Sequence, residues 1–67
     1  MGDVLGELEA TVVELRAKVA RARRLAFSQT AKDVIATLND YADMLEKDAL
    51  ASEQRAIELR HDLAHAQ

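Results

Sequence analysis

The sequence has no cysteine and no proline, glycine only at positions 2 and 6, and two aromatic residues, Phe27 and Tyr41. Each shortage excludes something. Without cysteine there is no disulfide framework and no thiolate metal site, and the redox compartment leaves no trace. Without proline, and with glycine confined to the start, no residue that breaks helices follows position 6. Glycine-dependent phosphate loops and nucleotide fingerprints are missing, as is any nucleophile and base set of the hydrolase type, so no enzymatic activity and no cofactor are expected. Apolar runs are only a few residues long, too short for a membrane-crossing helix. Residues 1–9 carry acid where a signal peptide carries base, and a soluble, cytoplasmic protein is the expectation.

What is present is a three-four rhythm of apolar side chains. It runs through Leu5, Leu8, Val12, Leu15, Val19, Ala22 and Ala26, then resumes at Ile35, Leu38, Ala42, Leu45, Ala49, Ala56, Leu59 and Leu63. This spacing draws a stripe along one flank of a helix, and such a stripe leaves water only by meeting another helix. Alanine and leucine are abundant and 31% of residues are charged, a composition of long helices rather than of a sheet.

The rhythm changes phase near residue 28. Continuing the first register would put Gln29 and Asp33 in the seam, whereas the second register fits after a shift of two residues. The sequence therefore predicts a first helix over about 3–27, capped by Asp3, a turn at 28–30, and a second helix over about 31–65. Thr30 followed by Asp33 has the form of a capping box. With no glycine or proline at the break, one bent helix is an alternative, and a start at Ser52 would make residues 53–66 a third helix. If the hairpin forms, residues 31–54 suffice to cover the first helix and about thirteen residues would project.

Charge falls in blocks along the chain: −4 over residues 1–14, +6 over 15–32, −5 over 33–54 and zero over 55–67. Folding back sets the basic block against the acidic one, which favours an antiparallel hairpin. Between two copies, antiparallel first helices set acid against base, while parallel ones set like against like. A chain of 67 residues buries only about 60% of its unfolded surface, so one thin seam is marginal. The expected fold is all-α: an antiparallel, coiled-coil-like helical hairpin that dimerises into a four-helix bundle. Its interface would be Leu5, Leu8, Val12, Leu15, Val19, Ile35, Leu38, Leu45, Leu59 and Leu63, flanked by Val13, Val34, Tyr41 and Ile57. The C-terminal half of the second helix would be open to a further protein partner.

The stretch Asp33-Val34-Ile35-Ala36-Thr37-Leu38-Asn39-Asp40-Tyr41-Ala42-Asp43-Met44-Leu45 resembles the second helix of the Rop family, small plasmid-encoded dimeric helical hairpins that bind paired RNA loops. Chain length and turn position are similar too. The resemblance implies the architecture, a hairpin paired into a four-helix bundle. It does not carry the RNA contacts: that family uses polar, basic and aromatic residues of its first helix, and the corresponding outer positions here include Glu7, Thr11 and Leu15.

Arg16, Lys18, Arg21, Arg23 and Arg24 are the candidate nucleic-acid contacts, since phosphate binding needs clustered cations. On a helical wheel they spread around the cylinder, with no aromatic platform beside them. A charge role within or between subunits is therefore the first expectation and a small RNA-binding regulator the alternative. Glu58, His61 and His65 have the Glu-x-x-His spacing of bundle metal sites, but a seam of Ala56, Leu59 and Leu63 turns them outward, and no metal is expected. Phe27 is expected to close the bundle end and Tyr41 to lie on the seam's edge with its hydroxyl in water. Asp40 and Asp43 share a face without a cleft, which points to a solvated acidic surface.

Overall fold

A computed structural model describes residues 3–66; Met1, Gly2 and Gln67, which belong to the expected single domain, lie outside the described residues. Two helices, α1 (Val4–Ser28) and α2 (Lys32–His65), pack against each other along their length. The fold is all-α, a helical hairpin without strands among the described residues. The two-helix architecture is compatible with that of the Rop family.

Helix α1 begins where the sequence supplies a cap. Asp3 has extended backbone geometry, and its Oδ1 accepts from the Gly6 backbone N–H at 3.1 Å. Glycine matters there: a Cβ at position 6 would stand 2.5 Å from the Asp3 carboxylate. Glu7 adds negative charge to the first turn, favourable against the positive end of the helix dipole.

The turn uses no left-handed residue, and no positive φ occurs among the described residues. Gln29 (φ −91°, ψ 152°) and Ala31 (φ −78°, ψ 121°) are extended instead, a geometry open to any side chain, which explains how the chain reverses without glycine or proline. The last turn of α1 is tied off locally: Ser28 Oγ donates to the Leu25 carbonyl at 2.9 Å, and the Gln29 N–H donates to Ala26 at 3.2 Å. The capping box expected at Thr30 does not form. Helix α2 starts one residue later, so Ala31 is the cap and makes no side-chain hydrogen bond. Asp33 contributes only charge to the first turn, while Thr37 Oγ1 donates to its carbonyl. From Lys32 onward α2 is unbroken, so Ser52 starts no third helix.

The core is narrow and built of small side chains. The buried residues are Val12, Ala22, Ala26, Ala42, Leu45, Ala49 and Ala56, with Ala42 and Ala49 at 0% exposure. On α2 the alanines recur every seven residues, where only a small side chain lets two helices approach closely. Leu5, Leu8, Leu15, Val19, Ile35, Leu38 and Leu59 lie on the expected seam but stay half-buried, and Leu63 is exposed. The seam exists, yet two helices are too few to enclose its larger members.

Candidate functional site

The chemistry available to this chain lies along the two edges of the seam. Written as heptads abcdefg, Val12 and Val19 take position a on α1, and Ala42, Ala49 and Ala56 take it on α2. On one edge the e positions of the two helices meet as ion pairs. Arg16 Nη2 donates to Glu53 Oε2 at 2.9 Å; Arg23 Nη2 donates to Glu46 Oε2 at 2.9 Å and to Asp43 Oδ1 at 3.0 Å; Arg60 pairs with Glu9. Each step of seven residues forward in α1 is matched by a step of seven back in α2. These side chains are about half exposed, and pairs such as Arg16–Glu53 and Glu9–Arg60 are each worth at most about 1 kcal/mol. The Arg23 guanidinium is held above its usual pKa by its hydrogen bonds to Glu46 and then Asp43.

The ladder also corrects the expected overhang. Residues 55–66 do not project as a free arm, because Arg60 still pairs with α1 through Glu9, so α1 accompanies α2 through most of its length. Leu63 lies past this last rung, which is why it is 56% exposed.

The opposite edge carries the g positions: Val4, Thr11, Lys18 and Leu25 on α1, and Val34, Tyr41, Asp48, Arg55 and Asp62 on α2. Among the described residues it has no ion pair. Lys18, Arg21, Ala22, Leu25, Leu38 and Tyr41 line one shallow groove there, and Asp33, Val34, Thr37 and Leu38 a second that continues it toward the turn. Leu25, Val34, Tyr41 and neighbouring Met44 are between 42% and 54% exposed. Exposed apolar side chains are not confined to this edge: Val13, Phe27, Leu50 and Ile57, on the ion-paired side, are at least half exposed.

The structure divides the basic run of α1. Arg16 and Arg23 belong to the ion-paired edge, Lys18 and Arg21 border the open groove, and Arg24 is exposed. The five cations do not form one stripe. Of the expected interface residues, Val12 and Leu45 are buried, and the others are half-buried or, for Leu63, exposed. Sequence reasoning named Arg16 and Arg23 but not their individual partners; the heptad spacing of Glu9, Arg16 and Arg23 against Arg60, Glu53 and Glu46 was the signal that finds them.

Phe27 does not close the end of the hairpin. It is 93% exposed because it occupies an outer position of α1, beside a hollow of about 330 Å³ lined also by Arg23, Ala26, Gln29, Ile35 and Asn39. Tyr41 lies at the seam's edge, 45% exposed. Asp40 is exposed, and Asp43 joins Arg23. His61 and His65 stack with ring centroids 4.1 Å apart, and a ring nitrogen of His65, Nδ1, lies 2.9 Å from the His61 carbonyl oxygen. Both are exposed, and among the described residues no three histidine or carboxylate side chains come together to hold a metal. No described helix is long and apolar enough to cross a membrane. No protein-family model, no characterised protein and no solved structure matches this chain.

Proposed function

We propose that this chain is a non-enzymatic oligomerisation and protein-interaction module that homodimerises into a four-helix bundle and acts as a small regulatory or assembly protein. The observation that carries the proposal is the mismatch between the seam and its burial. Alanines make up most of what the hairpin buries, while Leu5, Leu8, Leu15, Leu38 and Leu59 stay partly in water. Fully burying a leucine contributes about 1.5–3 kcal/mol, against roughly 0.8 kcal/mol for a methyl-sized group. Part of the stabilisation encoded in the stripe is therefore left for a second apolar surface to complete. Past the last ion pair, exposed Leu63 offers a further protein a small apolar anchor on α2.

Engagement of Arg16 and Arg23 by acids on α2 supports a structural role for the basic run and weakens the RNA-binding alternative. Analytical ultracentrifugation and circular dichroism over a dilution series test the proposal. A dimer mass, with helicity that falls as the dimer dissociates, is expected; a fully helical monomer at micromolar concentration would overturn it. A gel shift with paired RNA loops that weakens steeply with salt would favour the RNA alternative instead.

A further inference from the structure

We infer that His61 and His65 form a two-point chelate for a divalent transition-metal ion of the copper, nickel and zinc type, which clips the last turn of α2 from its outer side. The site lies within one chain and does not depend on the dimer.

Its placement comes from the register of the seam. With Ala56 at position a, His61 falls at f and His65 at c, on the side of α2 turned away from α1, and both are exposed. Histidines that face outward do not reach a metal in a bundle core. A pair four residues apart can instead hold one at the surface, because positions i and i+4 are neighbours on a helix. Two imidazole nitrogens bound side by side to one ion stand about 3 Å apart when each metal–nitrogen bond is about 2.0–2.1 Å. The two rings already lie with centroids 4.1 Å apart, so the chelate closes by side-chain rotation alone.

The second observation is a tautomer. Nδ1 of His65 lies 2.9 Å from the His61 carbonyl oxygen. A carbonyl can only accept, so this nitrogen carries the hydrogen and Nε2 of the neutral ring keeps its lone pair. Histidines on a metal are held in this way, with one nitrogen on the ion and the other donating to a carbonyl or carboxylate that fixes the ring. For His65 that support is the backbone of the residue that supplies the other ligand.

The third is charge. Glu58 and Asp62 stand three residues before His61 and His65 and form no ion pair among the described residues. Arg60, the cation between them, is engaged by Glu9 of α1. The C-terminal end of a helix is also the negative end of its dipole, so the surroundings favour a dication. Among the described residues no carboxylate joins the two rings as a third ligand, which leaves the remaining coordination positions to water. Imidazole suits copper, nickel and zinc, whereas magnesium and calcium take oxygen ligands. Since the site lies past the Glu9–Arg60 pair, the clip holds a stretch of α2 that no rung reaches.

Calorimetric titration of the natural chain with Cu²⁺ or Zn²⁺, added as simple salts, tests the site. One ion per chain is expected, with Cu²⁺ bound more tightly than Zn²⁺. His61→Gln and His65→Gln should each weaken binding at least about tenfold, because one arm then loses the effective concentration supplied by the other. A variant combining His65→Ala with Ala66→His keeps two histidines but sets them five residues apart, off a shared face, and should bind as weakly as the single variants. Added Zn²⁺ should raise the melting temperature of the natural chain, reversibly on chelation, and not that of the variants. Because both side chains are exposed, circular dichroism should show the same helicity for all of them, which separates lost binding from lost folding. Equal affinity for the natural chain and the five-apart variant, unaltered uptake by His61→Gln, or one ion shared by two chains overturns the chelate.

Discussion

The two long edges of this hairpin flank the same narrow seam and are finished in opposite ways. On one, arginines and carboxylates bridge the helices at Glu9–Arg60, Arg16–Glu53 and Arg23–Glu46. On the other, Leu25, Val34 and Tyr41, each about half exposed, share the equivalent positions with Lys18, Asp48, Arg55 and Asp62, and no ion pair forms among the described residues. An ion pair satisfies both helices within one molecule, whereas an aliphatic or aromatic side chain on a surface has no such internal completion. Folding bridges the first edge, although Val13, Leu50 and Ile57 stay exposed beside the rungs; it leaves the second without a bridge among the described residues.

Substitutions can break or sharpen that contrast. The seam shared by both edges sets the scale: Leu45→Ala should cost about 2–5 kcal/mol by thermal melting, because Leu45 is the one large side chain of α2 that is buried. Filling the alanine repeat is the opposite insult, and Ala49→Leu should destabilise by about 1–3 kcal/mol, as there is no room for the added carbons. On the open edge, Leu25→Ser should cost about 1–2 kcal/mol when melted at concentrations where dimer forms and almost nothing on dilution. A loss independent of concentration would mean that the open edge is not a contact surface. On the ion-paired edge, Arg16→Ala should cost less than about 1 kcal/mol at low salt, and the difference should fade toward 1 M salt. Last comes an expected absence of effect. Hydrogen bonds to Glu46 and Asp43 raise the Arg23 guanidinium pKa; stability tied to a raised pKa is fully present below the unfolded value and is lost only as pH rises through the folded one. The melting difference between the natural chain and Arg23→Gln should therefore stay flat from about pH 7 to 10.

The helical hairpin was legible because its signals are local and repeated: the seven-residue recurrence from Leu5 to Ala26, the phase change at residue 28, and the absence of breakers inside either helix. The course of the turn was less so. Thr30 and Asp33 have the right chemistry for a cap, but which residue caps α2 depends on where the chain leaves extended geometry, and that placed Ala31 at the boundary. Stripe membership was also easier to read than burial. Leu8 and Ala42 look equivalent by spacing, yet only the alanine is sealed, since a second helix shields what lies directly beneath it and little beyond. Phe27 was misassigned for the same reason: proximity to the turn in sequence says nothing about which way an outer heptad position faces.

A repeat of seven carries an ambiguity of seven. With Ala42, Ala49 and Ala56 interchangeable as packing surfaces, α2 could slip one heptad along α1 and find nearly the same fit. The rungs do not allow it quietly. Slipped one way, Arg16 comes opposite Arg60; slipped the other, Glu9 comes opposite Glu53. The order Glu, Arg, Arg on α1 read against Arg, Glu, Glu on α2 matches in a single alignment, much as a check digit rejects a shifted number. Surface pairs too weak to hold the fold together thus reinforce the register that the three-residue connection between the helices already favours.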